Sequence, residues 1–136
     1  IKYFGWITKD AILAKIYQMA DMLVLPSKRK RGWEELFGIV LIEAMSSGLP
    51  VIASNHIGPR EIVKDGFDGF IIKSDPIFER EEFVKELADY ILLLVDNPSL
   101  RLELGKRGRE KVKQLYDIRI NSKKWAAVLR YIVANS

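Results

Sequence analysis

Cysteine is absent from the 136 residues and histidine occurs once. The first absence excludes disulfides and thiolate-held metals, and it is compatible with a reducing, cytoplasmic location. No apolar stretch approaches the roughly 18 residues that a membrane span needs. The longest, YILLLV at 90–95, reads as one face of a helix. No basic start followed by an apolar run and a small-residue cleavage site occurs, so no secretion signal is read. Internal repeats and low-complexity segments are also missing.

What is present describes a folded unit. Hydrophobic residues make up 49% and charged residues 29%, ordinary values for a globular protein, and the length suits one compact domain. The net charge is +4 and the pI about 9.3. Much of the excess is local, in Lys28, Arg29, Lys30 and Arg31, a run bounded by Pro26 and Gly32 and therefore read as a loop. Two readings stand for it: a solvated loop, or a contact for an anionic ligand or an acidic membrane surface at the cytoplasmic face.

The periodicities alternate. IKYFG at 1–5 reads as a short strand, and TKDAILAKIYQMA as a helix with Thr8 at its N-cap. DMLVLP at 21–26 is an apolar core stopped by proline, as in a buried parallel strand. A helix from about Phe37 to Ser47, ended by Gly48, leads to PVIAS as a second such strand. GPREIVK reads as a short helix with Pro59 at its first position, the two Asp-Gly steps of DGFDGF as turns, and GFIIK as a last strand. From Glu79 the pattern is helical to the end, broken at DNPS, with Ser99 as a fresh helix start. The fold class is α/β: a Rossmann-like parallel sheet with flanking helices and a helical C-terminus.

Two carboxylates interrupt the most apolar part of this pattern. In EELFGIVLIEAMSSGLPVIAS, Glu43 lies mid-helix and Glu35 eight positions earlier, around a Phe-Gly step. A helix starting near Phe37 offers its first N–H groups around Gly38, Ile39 and Val40, beyond the carboxyl end of a buried strand, where open α/β sheets place phosphates. Glu43 lies about 7 Å further along the axis, at 1.5 Å per residue. Carboxylates on either side of a phosphate repel it but accept hydroxyls of neighbouring sugars. Against this stands an ion-paired Glu43 and a Glu35 placed by the helix dipole.

The same residues carry a resemblance. Pro26-Ser27, the Glu-x7-Glu segment with Glu35, Phe37, Gly38, Glu43, Ala44 and Met45, then Gly-Leu-Pro-Val and GPREIVKDGFDGFII, resemble the C-terminal donor-binding half of group 1, family 4-like, retaining GT-B glycosyltransferases. YFG at 3–5, LGKRGREKV and Trp125 extend the likeness over nearly the whole chain. The resemblance implies a catalytic Glu35 that contacts donor-sugar hydroxyls and a Glu43 that holds the ribose diol. It also implies a diphosphate cradled by the backbone of Phe37, Gly38, Ile39 and Val40, with Trp6 and Ile7 bordering the base. Trp6 has a second reading, packing against a neighbouring helix. Transfer of a sugar from a nucleotide diphosphate sugar to a glycan, lipid or small-molecule acceptor, with retention, is the implied activity. No cofactor and no metal are expected, since no Asp-x-Asp occurs.

By the same resemblance, residues 1–136 form one nucleotide-sugar-binding domain, a fragment without the acceptor domain and the first strands of its own domain, hence inactive alone. KRKRGW before Glu35 departs from the family pattern. His56 reads as a loop histidine, with a general-base role as the alternative. A GT-B-like sugar-nucleotide epimerase domain and a non-catalytic anion-binding module are the competing functions. Nucleic acid is not the expected partner.

Overall fold

The computed structural model describes residues 1, 3–28 and 36–135. Its elements run α1 (Asp10–Met19), β1 (Leu23–Leu25), α2 (Ile39–Ser46), β2 (Val51–Ser54), α3 (Ile57–Ile62), β3 (Phe70–Ile72), α4 (Arg80–Asp96), α5 (Pro98–Leu115) and α6 (Ile118–Ala134). The three strands pair in parallel in the order β1-β2-β3, with Leu23 opposite Val51 and Ile52 opposite Phe70. Short parallel strands joined by helices bury both faces, which is why LVL, VIAS and FII are apolar without a break.

Alternation along each strand divides the interior in two. Val51, Ala53 and Ile71 point to a core shared with Tyr17 of α1, Leu41, Ala44 and Met45 of α2, and Ile62 of α3. Ile52, Phe70 and Ile72 point to the opposite core with Phe83 and Leu94 of α4 and Leu104 of α5. Each fully buried aliphatic or methionine side chain contributes roughly 1.5–3 kcal/mol of transfer free energy. Helix α5 joins the two cores, because Val112 reaches the first and Leu104 the second. It approaches α2 closely through glycines: a Cβ on Gly105 would stand 1.9 Å from the Gly48 carbonyl oxygen, and one on Gly108 would stand 3.1 Å from Met45 Cε.

Several boundaries differ from the sequence expectation. Residues 3–5 form no strand, and Tyr3 and Phe4 are exposed. Strand propensity is a preference for a pleated, half-buried surface, and no neighbour supplies a ladder for these residues among those described. Lys9, not Thr8, takes the N-cap of α1, its carbonyl accepting from the Ile12 and Leu13 N–H groups, with Asp10 favoured in the first turn by the helix dipole. Asn97 caps α5 and Pro98 opens it, so the helix begins ahead of Ser99. Pro59 stands third in α3 instead of first.

The start of α2 also moves. Gly38 sits at φ 66° and ψ 39°, a left-handed conformation that cannot continue a right-handed helix, and α2 therefore opens at Ile39. Since α2 follows β1 and returns to β2, its N-terminus lies at the carboxyl edge of the sheet. That edge is where doubly wound sheets bind ligands.

Candidate functional site at the N-terminus of α2

Gly38 is buried, and a Cβ there would meet Leu41 Cδ1 at 3.1 Å and Ile62 Cδ1 at 3.3 Å. Both its positive φ and its tight surroundings hold glycine at this position. The Gly38 carbonyl accepts from Leu41 N–H at 2.9 Å, which tightens the first turn. Ile39 and Val40 open the helix, where N–H groups have no acceptor a turn earlier within it. Leu36, Phe37 and Ile39 are exposed apolar residues around this end, Phe37 at 67%. Phe37 thus lies ahead of the helix instead of in its first turn.

Segment 36–37 is seated on α3. A Cβ on Gly58 would come within 2.6 Å of Phe37 N and 2.7 Å of the Leu36 carbonyl carbon, so the chain entering α2 passes in direct backbone contact with this glycine. Nearby, His56 is buried at the N-cap of α3, and its Nε2–H donates to the Ser27 carbonyl at 3.0 Å. That bond ties the exit of β1 to the exit of β2 and gives the histidine the structural loop role.

Glu43 stands one turn beyond Ile39, half-buried, and accepts a hydrogen bond on Oε2 from the Tyr17 hydroxyl at 3.0 Å. Burial first, then the bond to and charge of Glu43, push the Tyr17 phenol up to about 12. The ion-paired reading of Glu43 thus gives way to a tyrosine partner. Glu43 lines a cavity of about 140 Å³ with Asp10, Leu13, Ala14, Tyr17, Ser46 and Ser47. Trp6 and Ile7 are not part of that cavity. Among the described residues Trp6 is 92% exposed and Ile7 is half-buried. Glu35 and the basic residues Arg29, Lys30 and Arg31 lie outside the described residues.

Ile39, Val40 and Glu43 thus lie on one short helix, with Gly38 at its N-cap and Phe37 ahead of it, while the cavity beside Glu43 is lined by none of residues 37–40. Two contributors were not foreseen from the sequence. Tyr17 occupies an ordinary apolar helical position, and only its pairing with a glutamate in the next helix would have marked it. Gly58 was read merely as the residue ahead of a helix-opening proline.

The family model for glycosyl transferases group 1 matches residues 1–111. The chain belongs to this family. A sucrose synthase of Acidithiobacillus caldus is 42% identical over 82 residues, 60% of this chain and 10% of that protein. Spore coat protein SA of Bacillus subtilis is 34% identical over 105 residues, 77% of this chain and 25% of that protein. Among solved structures, sucrose-phosphate synthase from Thermosynechococcus elongatus superposes with a TM-score of 0.76 at 32% identity, covering 92% of this chain and 28% of that one. The group 1 domain seen here thus spans about a tenth of the sucrose synthase and under a third of the sucrose-phosphate synthase. Its parallel sheet with flanking helices is the GT-B architecture expected from the resemblance. Among the described residues, no helix is long and apolar enough to cross a membrane.

Proposed function

We propose that this chain is the donor-binding domain of a retaining hexosyltransferase that moves a sugar from a nucleotide diphosphate sugar to an acceptor. In this reading the diphosphate rests on the backbone of Phe37, Gly38, Ile39 and Val40, the ribose diol on Glu43, and the donor-sugar hydroxyls on Glu35. Trp6 and Ile7 border the base. Family membership sets the reaction class. The observation that carries the reading is the placement of Glu43 one turn beyond a glycine-started helix at the carboxyl edge of β1. A helix N-terminus favours an anion by its dipole and its N–H groups, and a carboxylate a few ångströms further along favours hydroxyls.

The chemistry assigned to the chain is electrostatic. As the bond to the leaving group lengthens, negative charge grows on the diphosphate, and N–H groups held by a packed helix stabilise it without reorganising. In this mechanism Glu35 positions the sugar while the acceptor attacks on the face the diphosphate leaves, and no metal is required. The acceptor, whether glycan, lipid or small molecule, is held by another domain, so the 136 residues alone bind donor without transferring it.

Saturation-transfer NMR with UDP-, GDP- and ADP-sugars tests the reading. One nucleotide series should show transfer, and Glu43→Ala should reduce it about tenfold or more, the scale of one lost charge-assisted contact. Binding of a nucleotide sugar that is indifferent to Glu43→Ala would contradict the assignment of the ribose. An anion-binding module would instead show affinity that falls steeply with salt and does not depend on the sugar or the base.

A further inference from the structure

The Tyr17–Glu43 pair links α1 to α2 through a hydrogen bond, and its geometry is informative. Tyr17 is 8% exposed in the last turns of α1, with its ring in the core and its hydroxyl on Glu43 Oε2 at 3.0 Å. A phenol has one proton to donate, so the bond fills one of the roughly four acceptor positions of a carboxylate and leaves Oε1 and the remaining side of Oε2 for other donors. The neighbouring hydroxyls do not compete. Ser46 Oγ and Ser47 Oγ donate to the Glu43 carbonyl, at 2.7 and 3.2 Å. Around the carboxylate, Leu13 and Ala14 supply apolar walls, and Asp10 adds a second acidic side chain to the same cavity.

We infer that Tyr17 is a positioning residue whose hydroxyl fixes the Glu43 carboxylate for a vicinal diol, and that the pair makes the site select ribonucleoside over 2′-deoxyribonucleoside diphosphates. The inference rests on the donor-binding reading above. A glutamate side chain has free rotamers to lose on binding a ligand, and a carboxylate already held at one oxygen has lost them beforehand. The raised phenol pKa, about 12, keeps the donor proton in place at any ordinary working pH. A diol presents two donors at a fixed separation and gains from a fixed acceptor; a single hydroxyl gains less.

Isothermal titration of the full chain with UDP, GDP and ADP, each beside its 2′-deoxy form, tests this in the native protein, Tyr17→Phe and Glu43→Ala. Phenylalanine keeps the buried ring, and a thermal melt of each variant reports whether the fold is intact. The native chain should prefer the ribose form of its nucleotide by about tenfold or more. Tyr17→Phe should lose most of that preference, through ribose binding that weakens by a larger factor than deoxyribose binding. Equal losses for both forms would show a packing role and overturn the inference. If Glu43→Ala abolishes the preference while Tyr17→Phe retains it, positioning by Tyr17 is overturned and the donor reading survives. A native chain that binds neither nucleotide form, or both alike with Glu43→Ala indifferent, overturns the two together.

Discussion

Asp68 is 1% exposed yet carries a carboxylate, and its partners explain why that burial is tolerated. One oxygen accepts the Lys64 N–H at 2.7 Å and the other the Lys111 ammonium at 2.6 Å, and the same ammonium donates to the Ile62 carbonyl at 2.8 Å. One residue thus joins the turn before β3 to α5. Removing it leaves Lys111 without its counter-ion while the lysine is only partly solvated, so Asp68→Ala should cost about 2–4 kcal/mol in urea unfolding. A loss within 0.5 kcal/mol, as for an ordinary surface change, would refute the linkage role. The sequence marked Asp65 and Asp68 only as turn residues. Asp65 is more than that as well, since its Oδ1 accepts the Ile71 N–H at 3.0 Å. An Asp-Gly step reveals turn chemistry, but a partner 43 residues away in the chain leaves no local mark.

At the scale of elements, the expectations that succeeded rested on long or uninterrupted patterns. The three apolar strands and the terminal helices were legible because burial on both faces of a parallel sheet, and 3.6-residue periodicity, impose themselves on composition. The strand at 1–5 was not, because strand formation depends on a neighbouring edge that the stretch does not encode. The start of α2 was misplaced by two residues because a glycine in an apolar run permits both helix and the left-handed conformation that Gly38 adopts. Close contact between elements is likewise invisible in one sequence. Gly58 lies on α3, but its lack of a side chain serves the entrance to α2. Gly58→Ala must push Leu36 and Phe37 outward, at about 1–3 kcal/mol of stability, the usual cost of overpacking. Displacement of a phosphate cradle should in addition weaken nucleotide diphosphate binding about tenfold, measured by titration. Unchanged affinity in a folded variant would show that segment 36–37 is not part of the cradle.

For the molecule as a whole, volume and position point to different places. A cavity of about 530 Å³, much larger than the one at Glu43, is lined by Lys64, Phe67, Lys106 and Arg107 among others. It lies beside the turn that leads into β3, at the amino edge of the sheet and opposite the start of α2. Size favours that cavity as a ligand site. Topology, helix polarity and the Glu43 carboxylate favour the carboxyl edge, and they are the stronger argument because each supplies an interaction that a nucleotide diphosphate would use. Glu43 stood out in the sequence because a carboxylate interrupts an apolar helix, whereas its contact with Tyr17 and the seat that Gly58 gives segment 36–37 come from other helices and emerge only in three dimensions.

Amide chemical-shift mapping of the ¹⁵N-labelled chain with UDP, GDP and ADP in turn decides between these two edges. One nucleotide should shift the amides of Phe37, Gly38, Ile39, Val40 and Glu43, leaving those of Phe67, Lys106 and Arg107 in place. Shifts concentrated on Phe67, Lys106 and Arg107, or no shift with any of the three at millimolar concentration, would contradict a diphosphate site at the N-terminus of α2.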